Sequence, residues 1–167
     1  PLDKLGMNNR DQLVMQTMAH KSAGLLLVVS PTGGGKTTTL HSLLAEINTI
    51  ERTIWTAEEQ LEIRQPYLRQ LRISPEHGMN YQQALRVLMG ADPDVIMVAG
   101  LRDSETTRLA LQAALSGRLV MCGMYTSSAP ETILQLVEMG IDRFALADAL
   151  VGVVAQRLVR RLCTKCR

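Results

Sequence analysis

A short glycine-rich segment near the start of the chain restricts the possible folds more than any other feature of the sequence. The apolar run GLLLVV covers residues 24–29, SPTGGGKTTT covers residues 30–39, and leucine and isoleucine then recur at three- and four-residue steps. An uninterrupted apolar run is typical of a strand buried on both faces of a parallel sheet, and the later spacing is typical of an amphipathic helix. The sequence therefore predicts a strand, a tight loop and a helix from Thr37 to Ile47.

Strands and helices are predicted to alternate along the rest of the chain. Further strands are predicted at residues 53–57, 95–99 and 119–123, and helices at residues 9–20, 81–89, 104–115 and 130–139. We expect Asn80 with Gln83, and Ser104, to cap the second and third of these helices. Residues 61–64 and 68–73 are expected to be extended, and residues 152–163 are compatible with a helix or a strand. The alternation favours an α/β fold, with a largely parallel sheet flanked by helices.

The composition restricts the class of protein but does not indicate a binding partner. The chain has 167 residues, 46% hydrophobic and 20% charged, which suits one globular domain and excludes a fibrous or disordered chain. A net charge of +2 gives no reason to expect a nucleic-acid partner, and no apolar run approaches the ~20 residues of a transmembrane helix. Three cysteines do not suggest a disulfide framework, so we expect a reducing cytoplasm. Because residue 1 is proline, we expect a piece of a longer protein.

The segment SPTGGGKTTT matches the phosphate-loop pattern G-x-x-x-x-G-K-[ST] at every position except the first, which is Ser30. Successive glycines allow the backbone N–H groups to turn inward around a phosphate. The candidate nucleotide-binding residues are Ser30, Pro31, Thr32, Gly33, Gly34, Gly35, Lys36, Thr37 and Thr38. The alternative is a glycine-rich turn that only joins a strand to a helix, but the strand, loop and helix setting favours phosphate binding.

Two side chains of this loop have distinct predicted roles. Lys36 is expected to reach the β and γ phosphates of ATP or ADP, and the Thr37 hydroxyl to bind Mg²⁺ that accompanies the nucleotide. The start of the following helix adds partial positive charge. Ser30 departs from the pattern, and we expect its Cβ to crowd the loop entrance and weaken nucleotide affinity.

With this loop, four further stretches resemble the ATPases that power type II secretion and type IV pilus assembly. These stretches are TAEEQLEI (56–63), ADPDVIMVAGLRD (91–103), ALSGRLVMCGMYTSSAPET (114–132) and VVAQRLVRRLCTKC (153–166). The resemblance runs from LDKLGM (2–7) to the final cysteine pair, and it implies that residues 1–167 are a RecA-like C-terminal motor domain with a phosphate-loop NTPase core. It also implies a homohexamer on the cytoplasmic face of the bacterial inner membrane, working with the inner-membrane platform and other components of a secretion or pilus machine.

Several positions depart from that family. Where the family has the glutamate of a VGEIRD-like motif, this chain has Gly100; Tyr125 stands at the family's box histidine, and Gly90 at an arginine. In the family that acid orients the Mg²⁺ water shell or the attacking water. Loss of such a group costs on the order of 3 kcal/mol, or ~100-fold in rate, so we expect hydrolysis to be weakened.

One acidic element of the family is retained at the end of the strand TIWTA. Glu58 matches the glutamate of the family's TIEDPVE, and Glu59 replaces its aspartate. A carboxylate at the carboxyl end of a parallel strand lies where α/β folds bind ligand, so Glu58 is the candidate base, with Glu59 and Lys36 as further catalytic candidates. The alternative is that Glu58, Glu59 and Glu62 form an ordinary solvated acidic turn.

Other residues have weaker signals. Cys163 and Cys166 have the spacing of half a zinc site, for which a redox or idle pair is the alternative, and Cys122 is expected to be a buried strand thiol. We expect Arg102 and Asp103 to form a structural ion pair or a subunit contact. The basic residues near the end are expected to form a solvated face or subunit contact rather than bind anionic lipid; they are Arg157, Arg160, Arg161, Lys165 and Arg167.

The sequence therefore predicts a nucleotide-binding motor domain that hydrolyses ATP slowly or not at all. Two alternatives remain open at this stage. A full ATPase would use Glu58 with a neighbouring subunit in place of the acid missing at Gly100. A non-catalytic assembly or regulatory subunit would use nucleotide as a structural ligand.

Overall fold

A computed structural model describes residues 1–163, 165 and 166, and a six-stranded sheet lies at its centre. The strands are β1 Gly24–Val29, β2 Ile54–Glu58, β3 Arg69–Arg72, β4 Val95–Val98, β5 Leu119–Met124 and β6 Leu150–Ala155. Their order is β3-β2-β4-β5-β1-β6, and every pairing is parallel. The predicted α/β fold with a parallel sheet is confirmed.

Helices cover both faces of this sheet. They are α1 Asn9–Ala19, α2 Lys36–Ile47, α3 Tyr81–Gly90, α4 Ser104–Leu115, α5 Ala129–Glu138 and α6 Arg143–Ala149, with short 3₁₀ turns at Leu2–Lys4 and Pro75–His77. None of the helices in the described part of the chain is long and apolar enough to cross a bilayer.

The core is divided between the two faces by the alternation along each strand. Leu26 and Val28 of β1 pack with residues of α1 and α2, whereas Leu25 and Leu27 pack with residues of α3, α4 and α6. Successive side chains of a strand point to opposite faces, so a continuous apolar run supplies both layers. This is why GLLLVV forms a central strand.

Helix caps agree with the sequence in one case and differ in another. Asn80 Oδ1 accepts from Gln83 N at 2.8 Å and Gln83 Oε1 accepts from Asn80 N at 3.0 Å, which confirms the predicted capping pair. The cap of α4 is Asp103 rather than Ser104, because Asp103 Oδ1 accepts from Thr106 N at 2.8 Å. An aspartate caps as well as a serine, and its charge also favours the helix start.

The remaining differences lie at the edges of the sheet. Residues 61–64 form no strand, because on the side of β2 away from β4 the pairing is made by Arg69–Arg72, and the preceding segment is held by single contacts such as Asn48 Nδ2 to Pro66 O at 2.7 Å. The tail forms β6 beside β1 and then continues to residue 163 without a helix or strand. The seven-residue helix α6, which the sequence analysis did not predict, is capped by Asp142.

All six strands are parallel, so their carboxyl ends meet at one edge of the sheet. β1 leads there into the glycine-rich loop, β2 ends at Glu58, and β4 leads to Gly100 and Arg102. β5 is followed by Tyr125, and β6 by Gln156. This edge is where parallel α/β sheets bind ligands.

Candidate functional site

The glycine-rich loop between β1 and α2 has a backbone that depends on glycine. Gly33 and Gly35 have φ values of +74° and +83°, in the left-handed region that other residues rarely adopt. A Cβ at Gly34 would overlap Ser30 Oγ and Cβ. Position 34 therefore requires glycine, whereas the expectation that Ser30 crowds the loop entrance and weakens nucleotide affinity stays a prediction.

Gln156, directly after β6, supports the loop from the neighbouring strand. Its Nε2 donates to Gly34 O at 2.6 Å, and its Oε1 accepts from Thr39 Oγ1 at 2.7 Å. One side chain thus ties the loop to the first turn of α2. The sequence analysis missed this residue, because a polar side chain after an apolar run has no distinctive spacing.

Lys36 is buried beside the loop, with 8% of its surface exposed. Its Nζ donates to Ser30 O at 3.3 Å and lies 3.5 Å from the centroid of the Tyr125 ring. Burial, followed by the nearby Arg102 charge, lowers the pKa of Lys36. No carboxylate of the described residues forms a salt bridge with Lys36, so its charge is free to pair with an anion.

A cavity of about 450 Å³ opens beside the loop and brings most of the predicted site residues together. The residues lining it are Gly33, Gly34, Gly35, Lys36, Thr37, Thr38, Glu58, Glu59, Gln60, Glu62, Tyr81, Ala99, Arg102 and Tyr125. The candidate residues Ser30, Pro31 and Thr32 lie at the entry to the loop, outside this lining. One wall of the cavity therefore consists of backbone and a cation, and the opposite wall carries carboxylates.

Glu58 is buried at the cavity wall rather than solvated, with 1% of its surface exposed. Oε1 accepts from Thr56 Oγ1 at 2.6 Å and from Gln70 Nε2 at 3.1 Å, and Oε2 lies 2.8 Å from His41 Nε2. Burial alone would raise the pKa of Glu58, but the three hydrogen bonds outweigh it and lower the pKa. Glu58 is therefore charged at neutral pH, and its burial distinguishes it from a residue of an ordinary solvated acidic turn.

Glu59 is half-exposed and paired with Arg102 in a two-pronged geometry. Arg102 Nη1 lies 2.9 Å from Glu59 Oε1, and Arg102 Nη2 lies 3.0 Å from Glu59 Oε2. The ion-pair partner of Arg102 is thus Glu59 and not Asp103, which caps α4 instead. The pairing places a guanidinium in the cavity wall, opposite the phosphate loop.

The position of the family's missing acid has room for a side chain. A Cβ built at Gly100 would meet only Arg102 Nε, at 3.7 Å, which is an ordinary contact. Tyr125, at the position of the family histidine, is 49% exposed and lies between two cations, with Arg102 Cζ 5.9 Å from its ring centroid. The Tyr125 ring therefore lies beside Lys36, next to the space that a bound phosphate could occupy.

A second cavity, of about 670 Å³, lies on the other side of the loop. Gly35 and Thr38 line both cavities. Its remaining lining is largely apolar and includes Leu5, Met7, Met15, Val154 and Leu158. The loop thus separates a charged cavity from an apolar one.

Cys163 and Cys166 lie apart from both cavities and are exposed. Within residues 1–163, 165 and 166, no three His, Cys, Asp or Glu side chains are grouped as a metal site. Cys122 is buried in β5, as predicted, and burial raises the pKa of its thiol. The basic residues near the end are exposed, apart from Arg167, which lies outside the described residues with Thr164.

Comparison with known sequences gives a consistent group of relatives. A family model described as "Type II/IV secretion system protein" matches residues 1–167. Type II secretion system protein E of Dickeya dadantii is 41% identical over 166 residues, which cover 99% of this chain and 33% of that protein. A "Protein transport protein HofB homolog" of Escherichia coli K12 is 46% identical, with coverage of 99% and 36%. Type IV pilus assembly ATPase PilB of Pseudomonas aeruginosa is 40% identical, with coverage of 99% and 29%.

Solved structures with the same fold include a pilus retraction motor and an ATPase. The pilus retraction motor PilT with bound ADP has a TM-score of 0.81 and 32% identity, covering 95% of this chain and 48% of that chain. The ATPase DotB of Legionella pneumophila has a TM-score of 0.74 and 25% identity, covering 89% and 43%. The chain spans about a third of the length of its curated relatives and less than half of these solved chains.

Proposed function

This chain belongs to the type II/IV secretion system protein family, and we propose that it binds ATP or ADP at the edge of its sheet as part of a secretion or pilus assembly motor. The family membership that the motifs indicated is confirmed. The observation that carries the proposal is the loop itself: Gly33 and Gly35 in left-handed conformations, with Lys36 buried against the same cavity and no carboxylate partner among the described residues.

The two cavities suit the two ends of a nucleotide. The charged cavity suits the phosphates, since it combines loop amides and Lys36 with Arg102 on the opposite wall. The apolar cavity on the other side of the loop suits a flat base. The similarity to a motor that was solved with bound ADP supports this assignment.

Thr37 is the residue that would hold Mg²⁺ together with the nucleotide. It lies half-buried at the start of α2 and lines the charged cavity, and a hydroxyl oxygen is a ligand that Mg²⁺ accepts. When bound, Mg²⁺ would neutralise charge on the phosphates. Zinc at Cys163 and Cys166 would need further ligands, since two thiolates make only half of a closed site.

Hydrolysis is proposed to be slow, with Glu58 as the base. Glu58 accepts a proton from the attacking water while the water oxygen bonds to the γ phosphorus and the bond to the bridging oxygen breaks. Glu59 is held by Arg102, which makes it a less available acceptor. Gly100 supplies no second acid, so the attacking water is oriented by fewer groups than in the family.

The second candidate function is a nucleotide-binding assembly or regulatory subunit without turnover. Two observations favour it: position 100 is a glycine, and the Glu59 carboxylate is already paired with Arg102. A full ATPase that borrows a group from a neighbouring subunit is the remaining alternative. All three bind nucleotide, and they differ only in turnover and in its dependence on assembly.

The rate of phosphate release from ATP in the presence of Mg²⁺ separates these candidates. The purified protein is compared with Lys36→Ala and Glu58→Gln, with Lys4→Ala and Glu138→Gln as exposed controls of the same chemistry. Slow turnover that falls to background in both site variants and is unchanged in both controls supports the motor. Nucleotide binding without turnover supports the regulatory subunit, and turnover that appears only at concentrations where the protein assembles supports the shared site.

We also propose that residues 1–167 form the motor domain of a longer protein that assembles as a homohexamer. The family and the share of the relatives' length support this, and we propose that such a protein works on the cytoplasmic face of the inner membrane with the platform of its machine. Sedimentation of the protein with and without ATP tests the ring. A species of about six copies supports it, and a monomer under every condition contradicts it.

A further inference from the structure

His41 joins the helix that begins at the phosphate loop to the carboxylate at the end of β2. It lies four residues after Thr37 on α2 and is 2% exposed. Its Nε2 lies 2.8 Å from Glu58 Oε2, and its Nδ1 lies 3.1 Å from Gln65 Nε2. Residues four apart share one face of a helix, so α2 presents Thr37 and His41 to the same side.

The side-chain amide of Gln65 fixes the position of the ring proton of His41. Gln65 Nε2 also donates to the His41 carbonyl oxygen at 2.8 Å, so the amide nitrogen, and not the amide oxygen, faces this part of α2. An amide nitrogen only donates. His41 Nδ1 is therefore the acceptor, the ring proton is on Nε2, and neutral His41 donates to Glu58 Oε2.

Glu58 has one acceptor site left. A carboxylate accepts about four hydrogen bonds, two at each oxygen. Among the residues that the structure describes, Oε1 accepts from Thr56 and Gln70, whereas Oε2 is contacted only by His41. The remaining lone pair is therefore on Oε2, the oxygen that His41 holds, in a residue that lines the charged cavity.

We propose that His41 is a positioning residue, whose Nε2–H holds Glu58 Oε2 so that the remaining lone pair of this oxygen receives the proton of the attacking water. This inference rests on the proposed function of the site. The proton passes from water to Oε2 as the new bond to phosphorus forms and the bridging oxygen leaves, and His41 keeps its own proton throughout. Because His41 and Thr37 both lie on α2, one helix positions both the phosphate end of the site and the base, Glu58.

Other charged and titratable groups also face Glu58 and enter any pH dependence. They are Lys36 and His41 on α2, Glu59 after β2, Arg72 on β3, Tyr81 on α3, Arg102 after β4 and Tyr125 after β5. A variant at His41 leaves all the others in place. A shift of the pH profile between wild type and that variant therefore reports on the His41 contact.

The first test measures kcat and KM for ATP across pH in His41→Ala and His41→Gln, with exposed His20→Gln as the control. We expect His41→Ala to lower kcat about 10-fold with KM within about two-fold, because the base loses its orientation while the phosphate contacts remain. Loss of a donor raises the pKa of Glu58, so the acid limb of kcat moves to higher pH. His41→Gln keeps an N–H donor and should recover kcat to within about three-fold of wild type.

An unchanged kcat and pH profile in His41→Ala would overturn the proposal, as would a loss of kcat that His41→Gln does not recover. Calorimetry of ATP binding on the same proteins separates this failure from failure of the proposed function, which would remove binding in wild type as well. If the protein binds ATP but shows no turnover, the second test alone decides the proposal.

The second test needs no turnover. Long-range ¹H–¹⁵N spectra of the imidazole nitrogens identify His41 by the signal that is lost in His41→Gln. We expect a ring with a proton on Nε2 and none on Nδ1, whose Nε2 signal shifts in Glu58→Gln but not in Glu138→Gln. A proton on Nδ1, or an Nε2 signal that ignores Glu58→Gln, would overturn the proposal.

Discussion

The two walls of the charged cavity are built in different ways. The phosphate wall consists of main-chain amides, two glycines in left-handed conformations, Lys36 and the support of Gln156. The acidic wall consists of individual side chains at the ends of β2 and β4, where three hydrogen bonds lower the pKa of the buried Glu58 and position 100 is a glycine. The first wall is complete in this chain, and the second is not.

Under the proposed function, this contrast means that binding and hydrolysis would depend on separable parts of one site. A backbone cradle survives most side-chain changes, because its donors belong to the main chain. A catalytic carboxylate depends on every neighbour that orients it or sets its charge. Variants on the phosphate wall should therefore change affinity, and variants on the acidic wall should change rate.

The largest effect is expected from Lys36→Ala. Removing the one lysine of the phosphate wall should weaken ATP binding about 100-fold, since a charge-assisted contact contributes about 1.5–3 kcal/mol and the buried space left behind admits water. Isothermal calorimetry measures this loss, with Lys4→Ala as the exposed control. A loss of about 1.4 kcal/mol already weakens binding tenfold. Affinity within about two-fold of wild type would therefore show that the loop amides alone provide the binding energy.

The next largest effect is expected from Gly100→Glu, which returns an acid to the incomplete wall. The Cβ has room, and the side chain would lie beside Arg102, so we expect turnover to rise by about 10- to 100-fold. ATP affinity should stay close to that of wild type. Phosphate release and calorimetry measure the two quantities.

Gln112→Glu, on the exposed face of α4, is the matched control for the added charge. No gain of turnover in Gly100→Glu would mean that the missing acid is not limiting. A gain in both variants would mean that net charge, rather than position, is responsible.

A smaller effect is expected from Ser30→Gly, which removes the side chain beside Gly34 and one oxygen partner of Lys36. ADP affinity should rise about three- to ten-fold as the loop gains space and the lysine is released. Ser30→Ala keeps the Cβ and loses only the hydroxyl, so it should recover a fraction of the gain. Weaker binding by Ser30→Gly would show that the serine supports the loop instead of crowding it.

The smallest effect is expected from Tyr125→Ala. The ring holds the Lys36 ammonium at 3.5 Å in the free site, and a contact of this type contributes about 0.5–2 kcal/mol. Its removal should tighten ATP binding by about three-fold, whereas Tyr125→Phe keeps the ring face and should leave affinity unchanged. Equal changes in both variants would assign the effect to the hydroxyl and contradict a role for the ring.

The phosphate wall was predictable from the sequence because its signals are local. GLLLVV, three glycines and Lys36 occupy consecutive positions, and the strand, loop and helix follow from their order along the chain. The capping pair of Asn80 and Gln83 was predictable for the same reason, since capping is a contact between residues three apart.

The acidic wall was only partly predictable because its contacts join distant residues. His41 reaches Glu58 across 17 positions, and Gln156, which supports the phosphate wall by reaching Gly34 across 122, was missed for the same reason. Neither pairing has a spacing that a sequence pattern could reveal. Residues 61–64, which were expected to be extended, form no strand, because β2 pairs instead with Arg69–Arg72 and local propensity does not decide which segment pairs.

The central claim is that SPTGGGKTTT binds a polyphosphate through its main chain, and calorimetry of the purified protein with ADP and Mg²⁺ tests it most directly. The account predicts saturable heat with one nucleotide per chain and about 100-fold weaker binding in Lys36→Ala. Absence of any heat from the wild-type protein, with the fold intact by circular dichroism, would contradict it.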